Sequence, residues 1–212
     1  TTSEMEVVLN GLFTYGTDFV KQMNGVFAFA FYDEKLGVLH LFRDRIGVKP
    51  LFYTRQGDTI FFASEIETLL ANSGVKPVLD RKGLNEVFSI GPAKTYGCGV
   101  FKGIDEVLPG HLLSYTGAEM KNSCYWRLES KVHEDNYEQT VEKTAFLLED
   151  AVKNQMISGV PVCTFLSGGL DSSLVSAICA RELRKEGKRL HTFSFDFMGN
   201  DKNFQANMFQ PS

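Results

Sequence analysis

Large and small apolar residues alternate through V-F-A-F-A-F-Y, residues 26–32. Phe27, Phe29 and Phe31 fall on one face of an extended chain; Val26, Ala28 and Ala30 fall on the other. A strand that is apolar on both faces is expected to be covered on both. The polar stretch 33–37 leads into V-L-H-L-F, so 26–42 reads as a hairpin in a buried antiparallel sheet. Leu51–Tyr53 and Thr59–Ala63 read as two more strands around the turn at Gly57-Asp58. Near the start, Val8, Leu9, Leu12 and Phe13 share a helical stripe, and Ser3 with Glu6 has the spacing of a capping box. Thr17 is placed to cap a second short helix, with Phe19, Val20 and Met23 inward and Gly25 closing it.

The pattern weakens over 64–130, where Gly91-Pro92, Gly97, Gly99 and Pro109-Gly110 punctuate the chain. Short helices near 65–71 and 80–90 and strands near 111–116 and 123–127 are predicted there. The charged stretch 126–136 has no strong period and marks a domain boundary, dividing the chain into 1–130 and 131–212. Past it, Tyr137, Val141, Thr144, Leu148, Val152 and Met156 trace one face of a long helix. An apolar strand follows at 162–166, then a glycine turn. A helix is predicted from about Ser172 to Lys185, with Leu174, Val175, Ile178 and Leu183 inward, and a second strand over 190–195. Strand, helix, strand is a βαβ unit, the seed of a parallel sheet.

Composition changes this picture little. The 212 residues are 43% apolar and 23% charged, as in ordinary globular proteins. A net charge of −4 argues against a nucleic-acid surface. No apolar run approaches the ~20 residues needed to span a membrane. Cys98, Cys124, Cys163 and Cys179 are widely spaced, without a C-x-x-C pair or a histidine at zinc-ligand spacing. A disulfide framework or zinc site is therefore not expected, and a reduced, cytoplasmic compartment fits better.

Candidate chemistry concentrates in T-F-L-S-G-G-L-D-S-S, residues 164–173. A turn from a strand into a helix lies at the sheet edge where ligands of open α/β sheets bind. Its glycines let phosphate oxygens approach backbone N–H groups, with the helix dipole behind them. Ser167, Ser172 and Ser173 could add hydroxyl donors. Asp171 would repel a bare phosphate, so its presence suggests an intervening cation such as Mg²⁺. A phosphate loop of the G-K-[ST] kind is excluded for want of the lysine, and a G-x-S-x-G nucleophile elbow by the spacing. A plain helix cap, with glycines that relieve crowding, is the simplest rival. The string S-G-G-x-D-S fixes five positions, which chance supplies about once in 10⁶.

That string resembles the pyrophosphate loop of the ATP pyrophosphatase family, whose members split ATP between the α and β phosphates. Residues 23–53, with M-N-G-V-F-A-F-A-F-Y-D and L-F-R-D-R-I-G-V-K-P-L-F-Y, resemble the later half of a class II glutamine amidotransferase domain. F-F-A-S-E-I-E-T-L-L (61–70) and L-P-G-H-L-L (108–113) continue the likeness. The two in this order resemble the glutamine-dependent asparagine synthetase family. The resemblance implies an α+β fold: part of an αββα sandwich of the N-terminal-nucleophile class, then the start of an α/β parallel-sheet pyrophosphate-loop domain. It implies glutamine, aspartate and ATP as substrates, Mg²⁺ as cofactor, and a homodimer without nucleic-acid or membrane partners. Leu166, Ser167, Gly168, Gly169, Asp171, Ser172 and Phe195 fall at ATP- and pyrophosphate-binding positions, with Asp171 toward Mg²⁺. Glu4 stands where the family uses an aspartate to hold the amino group of glutamine. The family's N-terminal cysteine nucleophile belongs to a stretch that would precede Thr1, and its adenylation residues to one beyond Ser212. The expectation is a piece of a larger ligase that by itself hydrolyses no glutamine. Same-architecture alternatives are a β-lactam-synthetase-like enzyme with another carboxylate substrate, or a non-catalytic scaffold.

Other polar residues carry weaker expectations. Arg43, Asp44 and Arg45 read as a strand-end turn with an internal ion pair. His40 reads as a satisfied residue within its strand, and His111, His133 and His191 as isolated. A Ser167–His191–Asp196 triad can be drawn from the sequence alone.

Overall fold

A computed structural model describes residues 3–195 and 198. It divides into two compact units, Thr1–Ser130 and Lys131–Ser212. The first opens with helix α1, Glu4–Tyr15, followed by a 3₁₀ segment, Gly16–Gln22. Strands β1 (Ala28–Asp33) and β2 (Val38–Arg43) form the expected hairpin, with Phe29 opposite Phe42 and Ala30 opposite Leu41. Strands β3 (Phe52–Gln56) and β4 (Thr59–Ala63) pair across the turn at Gly57, and helix α2 covers Ile66–Leu70. Helix α3, Arg81–Asn85, runs into a π turn over Glu86–Ile90. Strands β5 (Ile104–Glu106), β6 (His111–Tyr115) and β7 (Met120–Cys124) complete the unit. All pairings in this unit are antiparallel, in two sheets ordered β1-β2-β6-β7 and β4-β3-β5.

The strand period of two distributes the core over three layers. Phe42 and Leu112 point to one side of the first sheet, where Leu12 of α1 and Val20 of the 3₁₀ segment meet them. Their neighbours Leu41 and Leu113 point to the other side and pack on Leu51 and Val107. Phe52 and Ile104 turn away from that cluster and pack with Leu69 and Val75. Tyr53, next to Phe52, returns to the middle cluster. The hairpin's two faces separate as read: Phe27, Phe29 and Phe31 join the first cluster and Ala28 the second. Phe29 stacks on Phe42 with ring centroids 4.7 Å apart.

Four details differ from the sequence reading. Ser3 is the N-cap of α1 but makes no side-chain cap bond, so the Ser3–Glu6 capping box is not formed. The segment after Gly16 is 3₁₀ and follows α1 directly, with Tyr15 rather than Thr17 at its start. Strand β7 begins three residues earlier than expected. β5 was not anticipated, because three residues are too short to show a period.

In the second unit, helix α4 spans Tyr137–Gln155 and helix α5 Leu170–Lys185. Between them lies strand β8, Cys163–Phe165; strand β9, His191–Phe193, follows. β8 and β9 pair in parallel, Cys163 with His191 and Phe165 with Phe193, so β8-α5-β9 is the expected βαβ unit. α4 starts with a complete capping box. Asn136 accepts the Gln139 N–H at 2.9 Å, and Gln139 accepts the Asn136 N–H at 3.1 Å. Among the described residues no helix is long and apolar enough to cross a membrane, and all four cysteines are free.

Candidate functional site

Parallel pairing fixes where the glycine turn begins. Leu166 follows β8 and is held at the end of β9 through both backbone groups. Its N–H donates to Phe193 O at 2.8 Å, and its carbonyl accepts the Ser194 hydroxyl at 2.8 Å. Nearly two turns into α5, the Ser176 hydroxyl lies 2.8 Å from that of Thr164 on β8, tying helix to strand beneath the loop.

The two glycines have different reasons to be there. Gly168 has φ +83°, in the left-handed region that side chains rarely adopt. Gly169, the N-cap of α5, has φ −78° and ψ 164°, which any residue can adopt. A Cβ on Gly169 would meet only Ser167 Oγ, at 3.6 Å, and one on Gly168 would meet nothing within 4 Å. Relief of crowding therefore explains neither. Gly169 also provides no side-chain cap, so the first N–H groups of α5 lack the partner that Asn136 gives to α4. These N–H groups stand at the positive end of a 16-residue helix, next to two residues without side chains.

Around this opening, Ser167 and Ser172 are joined through their hydroxyls at 2.9 Å, and Ser172 and Ser173 both donate to Gly169 O. Asp171 lies exposed in the first turn of the helix. No group of three or more His, Cys, Asp or Glu among the described residues could hold a metal by itself. A lone carboxylate fits Mg²⁺ that arrives with phosphate oxygens and water as its other ligands. Leu166, Ser167, Gly168, Gly169, Asp171 and Ser172 thus share one strand-to-helix turn. Phe195 lies two residues beyond β9 and is 86% exposed. Glu4 opens α1 in the first unit, exposed to solvent.

The Ser167–His191–Asp196 triad does not assemble. His191 pairs with Cys163, at the opposite end of β8 from the loop, while Ser167 is bonded to Ser172; Asp196 lies outside the described residues. The other histidines have local partners. His40 Nδ1 lies 2.9 Å from Ser114 Oγ, His111 Nδ1 2.7 Å from Pro109 O, and His133 Nε2 2.8 Å from Thr140 Oγ1. Burial lowers the His40 pKa, against a smaller opposing effect of Asp33.

The turn after β2 is an internal structure, as expected, but its ion pair is not Arg43 with Asp44. Buried Arg43 pairs with buried Glu106 at 2.9 Å and donates to the carbonyls of Gly47, Lys49 and Val107. Lys94 reaches the same carboxylate at 3.1 Å, with its ammonium 4.3 Å from the centre of the Phe52 ring. Asp44 instead accepts the N–H groups of Ile46, Gly47, Val48 and Lys49. Burial disfavours its charge, but the four N–H groups outweigh that and hold its pKa below the usual carboxylate value. The Tyr125 hydroxyl donates to Arg43 O, and burial with Asp44 nearby pushes its pKa up to about 12. Glu106 and Lys94 escaped sequence reading because their separation from Arg43 leaves no local signal.

Comparison with known proteins agrees with the two-part order. Residues 1–126 match the model of the glutamine amidotransferase domain family, and residues 143–209 match that of asparagine synthase. A Bacillus subtilis glutamine-hydrolysing asparagine synthetase 3 is 49% identical over 100% of this chain and 34% of its own length. A putative asparagine synthetase 2 of Methanocaldococcus jannaschii is 36% identical over 94% of this chain and 39% of its own. Amidase chyE of Penicillium rubens is 34% identical over 96% and 30%. The chain spans about a third of the length of these relatives. Since the first match covers more than half of the residues, the chain belongs to the glutamine amidotransferase domain family, and it continues into a segment that matches asparagine synthase.

Proposed function

We propose that this chain is part of a glutamine-hydrolysing asparagine synthetase, a carbon–nitrogen ligase. Residues 1–130 form the later part of its glutaminase domain and 131–212 the first part of its synthetase domain. The three-layered core of the first unit supports an αββα sandwich of the N-terminal-nucleophile class, with Glu4 toward the amino group of glutamine. The observation that carries the synthetase reading is Gly169: an ordinary backbone conformation, open space at its Cβ position, and an uncapped helix behind it. A ligand that needs backbone N–H groups at close range accounts for all three.

In this reading the aspartate carboxylate attacks the α phosphorus of ATP and pyrophosphate leaves, giving β-aspartyl-AMP. Ammonia from glutamine then displaces AMP to form asparagine. Negative charge grows on the leaving pyrophosphate as the bond breaks, and the backbone N–H groups at the start of α5 would stabilise it. Leu166 and Phe195 lie toward the nucleoside. Asp171 would hold Mg²⁺, which when bound neutralises phosphate charge.

The test is pyrophosphate release by the full gene product with ATP and aspartate, compared with other carboxylic acids. Asp171→Asn is expected to lower aspartate-dependent release about a hundredfold with an unchanged circular dichroism spectrum. Release driven by another acid in preference to aspartate would reassign the substrate. Full activity of Asp171→Asn would remove this carboxylate from the site.

A further inference from the structure

Glycine is among the least favourable residues inside an α-helix, and alanine is the most favourable. Gly11 nevertheless sits within α1, and it is buried. Its surroundings give the reason. A Cβ at this position would overlap the ring of Phe19, a residue of the 3₁₀ segment that follows the helix. The same ring stacks on Tyr15, one turn further along α1, with centroids 6.2 Å apart and planes at 14°. Phe19 thus rests against α1 at the point where a side chain is missing.

This contact joins two elements of unequal firmness. The 3₁₀ segment is fixed: Val20, next to Phe19, is 1% exposed in the cluster of Phe42, and the Lys21 carbonyl accepts from Arg45 at 3.0 Å. α1 is held by Val8, Leu12 and Phe13, the last meeting Phe31 edge-on at 6.3 Å, while Met5, Val7 and Leu9 are exposed. A methyl group at position 11 is therefore accommodated by a shift of α1, not of the 3₁₀ segment. Glu4 moves with α1. It precedes Gly11 by seven residues, which is two turns less about 20°, so the two positions share a helix face about 10 Å apart along the axis. The face on which Phe19 rests is the face that carries Glu4.

We infer that Gly11 and Phe19 are positioning residues for Glu4: the contact of ring on helix backbone sets the rotation and height of α1, and with them the place of the Glu4 carboxylate. The inference rests on the reading of Glu4 as the group that holds the amino group of glutamine. A charge-assisted hydrogen bond depends on both distance and angle, so a small displacement of α1 weakens it. Gly11 and Phe19 act on glutamine only through Glu4. Their effect falls on glutamine binding and not on synthesis from free ammonia, which bypasses glutamine.

The experiment measures KM and kcat for glutamine in the full gene product, alongside asparagine formation driven by ammonium chloride. The variants are Glu4→Gln, Gly11→Ala, Phe19→Leu and the Gly11→Ala/Phe19→Leu double variant. Gly11→Ala is expected to raise the glutamine KM about tenfold, the size of one weakened hydrogen bond to a charged group, with kcat and the ammonia-driven rate within about twofold. Phe19→Leu leaves a gap over Gly11 and should raise KM about fivefold. In the double variant the new methyl group takes space that the ring has left, so KM should return to within about twofold of the unaltered protein, as expected of coupled neighbours. An unchanged KM in Gly11→Ala, losses that multiply in the double variant, or an equal fall in the ammonia-driven rate would overturn the inference. Glu4→Gln separates this from the underlying reading. If it leaves the glutamine KM unchanged, Glu4 does not hold glutamine and the inference falls with that reading; if it raises KM while Gly11→Ala does not, the inference alone falls. Melting curves identify a variant that has lost its fold, and should Gly11→Ala be one, Phe19→Leu and the double variant decide the case.

Discussion

Gly168 and Gly169 are adjacent, yet stability requires only the first. Left-handed backbone at Gly168 would cost an alanine about 1–2 kcal/mol. Gly169 has an extended conformation and a favourable place for a capping side chain. Serine there would accept an N–H from the first turn of α5 and stabilise the helix, by a few tenths of a kcal/mol. It would also occupy the donors that a phosphate group needs. Gly169→Ser is therefore expected to raise the melting temperature while lowering ATP-dependent pyrophosphate release. A variant that gains stability and keeps full release would show that these N–H groups are not the ligand's. At this scale the sequence singles out S-G-G-x-D-S, and the structure puts that run in one strand-to-helix turn.

The elements show why some boundaries were legible and others not. α4 repeats its apolar positions over five turns, and β1 and β2 alternate strongly, so both were read close to their observed limits. β7 is an outer strand of its sheet, with Lys121 and Asn122 exposed, and carries no apolar alternation to read. Capping was a matter of competing local bonds. Ser3 and Glu6 have the right spacing without the bonds, whereas Asn136 and Gln139 form both. Asn136→Ala should accordingly destabilise the second unit by about 1 kcal/mol in urea unfolding, whereas Ser3→Ala should have little effect. Equal losses from the two would mean that the Ser3 box forms in solution.

For the whole molecule the decisive feature is the division near residue 130. No helix or strand lies between Cys124 and Tyr137, and Leu128 and Val132 are 86% and 88% exposed. Exposed backbone without ladder bonds is where proteases cut first. Brief trypsin treatment should cleave after Arg127 or Lys131 and release two fragments that resist further digestion. Early cuts within β1–β6 would contradict two independently compact units. The charge texture of 126–136 suggests a boundary in the same stretch of sequence.

The sequence by itself determined the periodic elements and the order of the two parts, because both are written in neighbouring residues. Only the tertiary structure decided that Arg43 pairs with Glu106 and Lys94, that the core divides over two sheets, and that the loop serines bond to one another. Distant partners depend on how strands pair and where a helix starts. Those are properties of packed backbone in three dimensions, and no local run of residues encodes them.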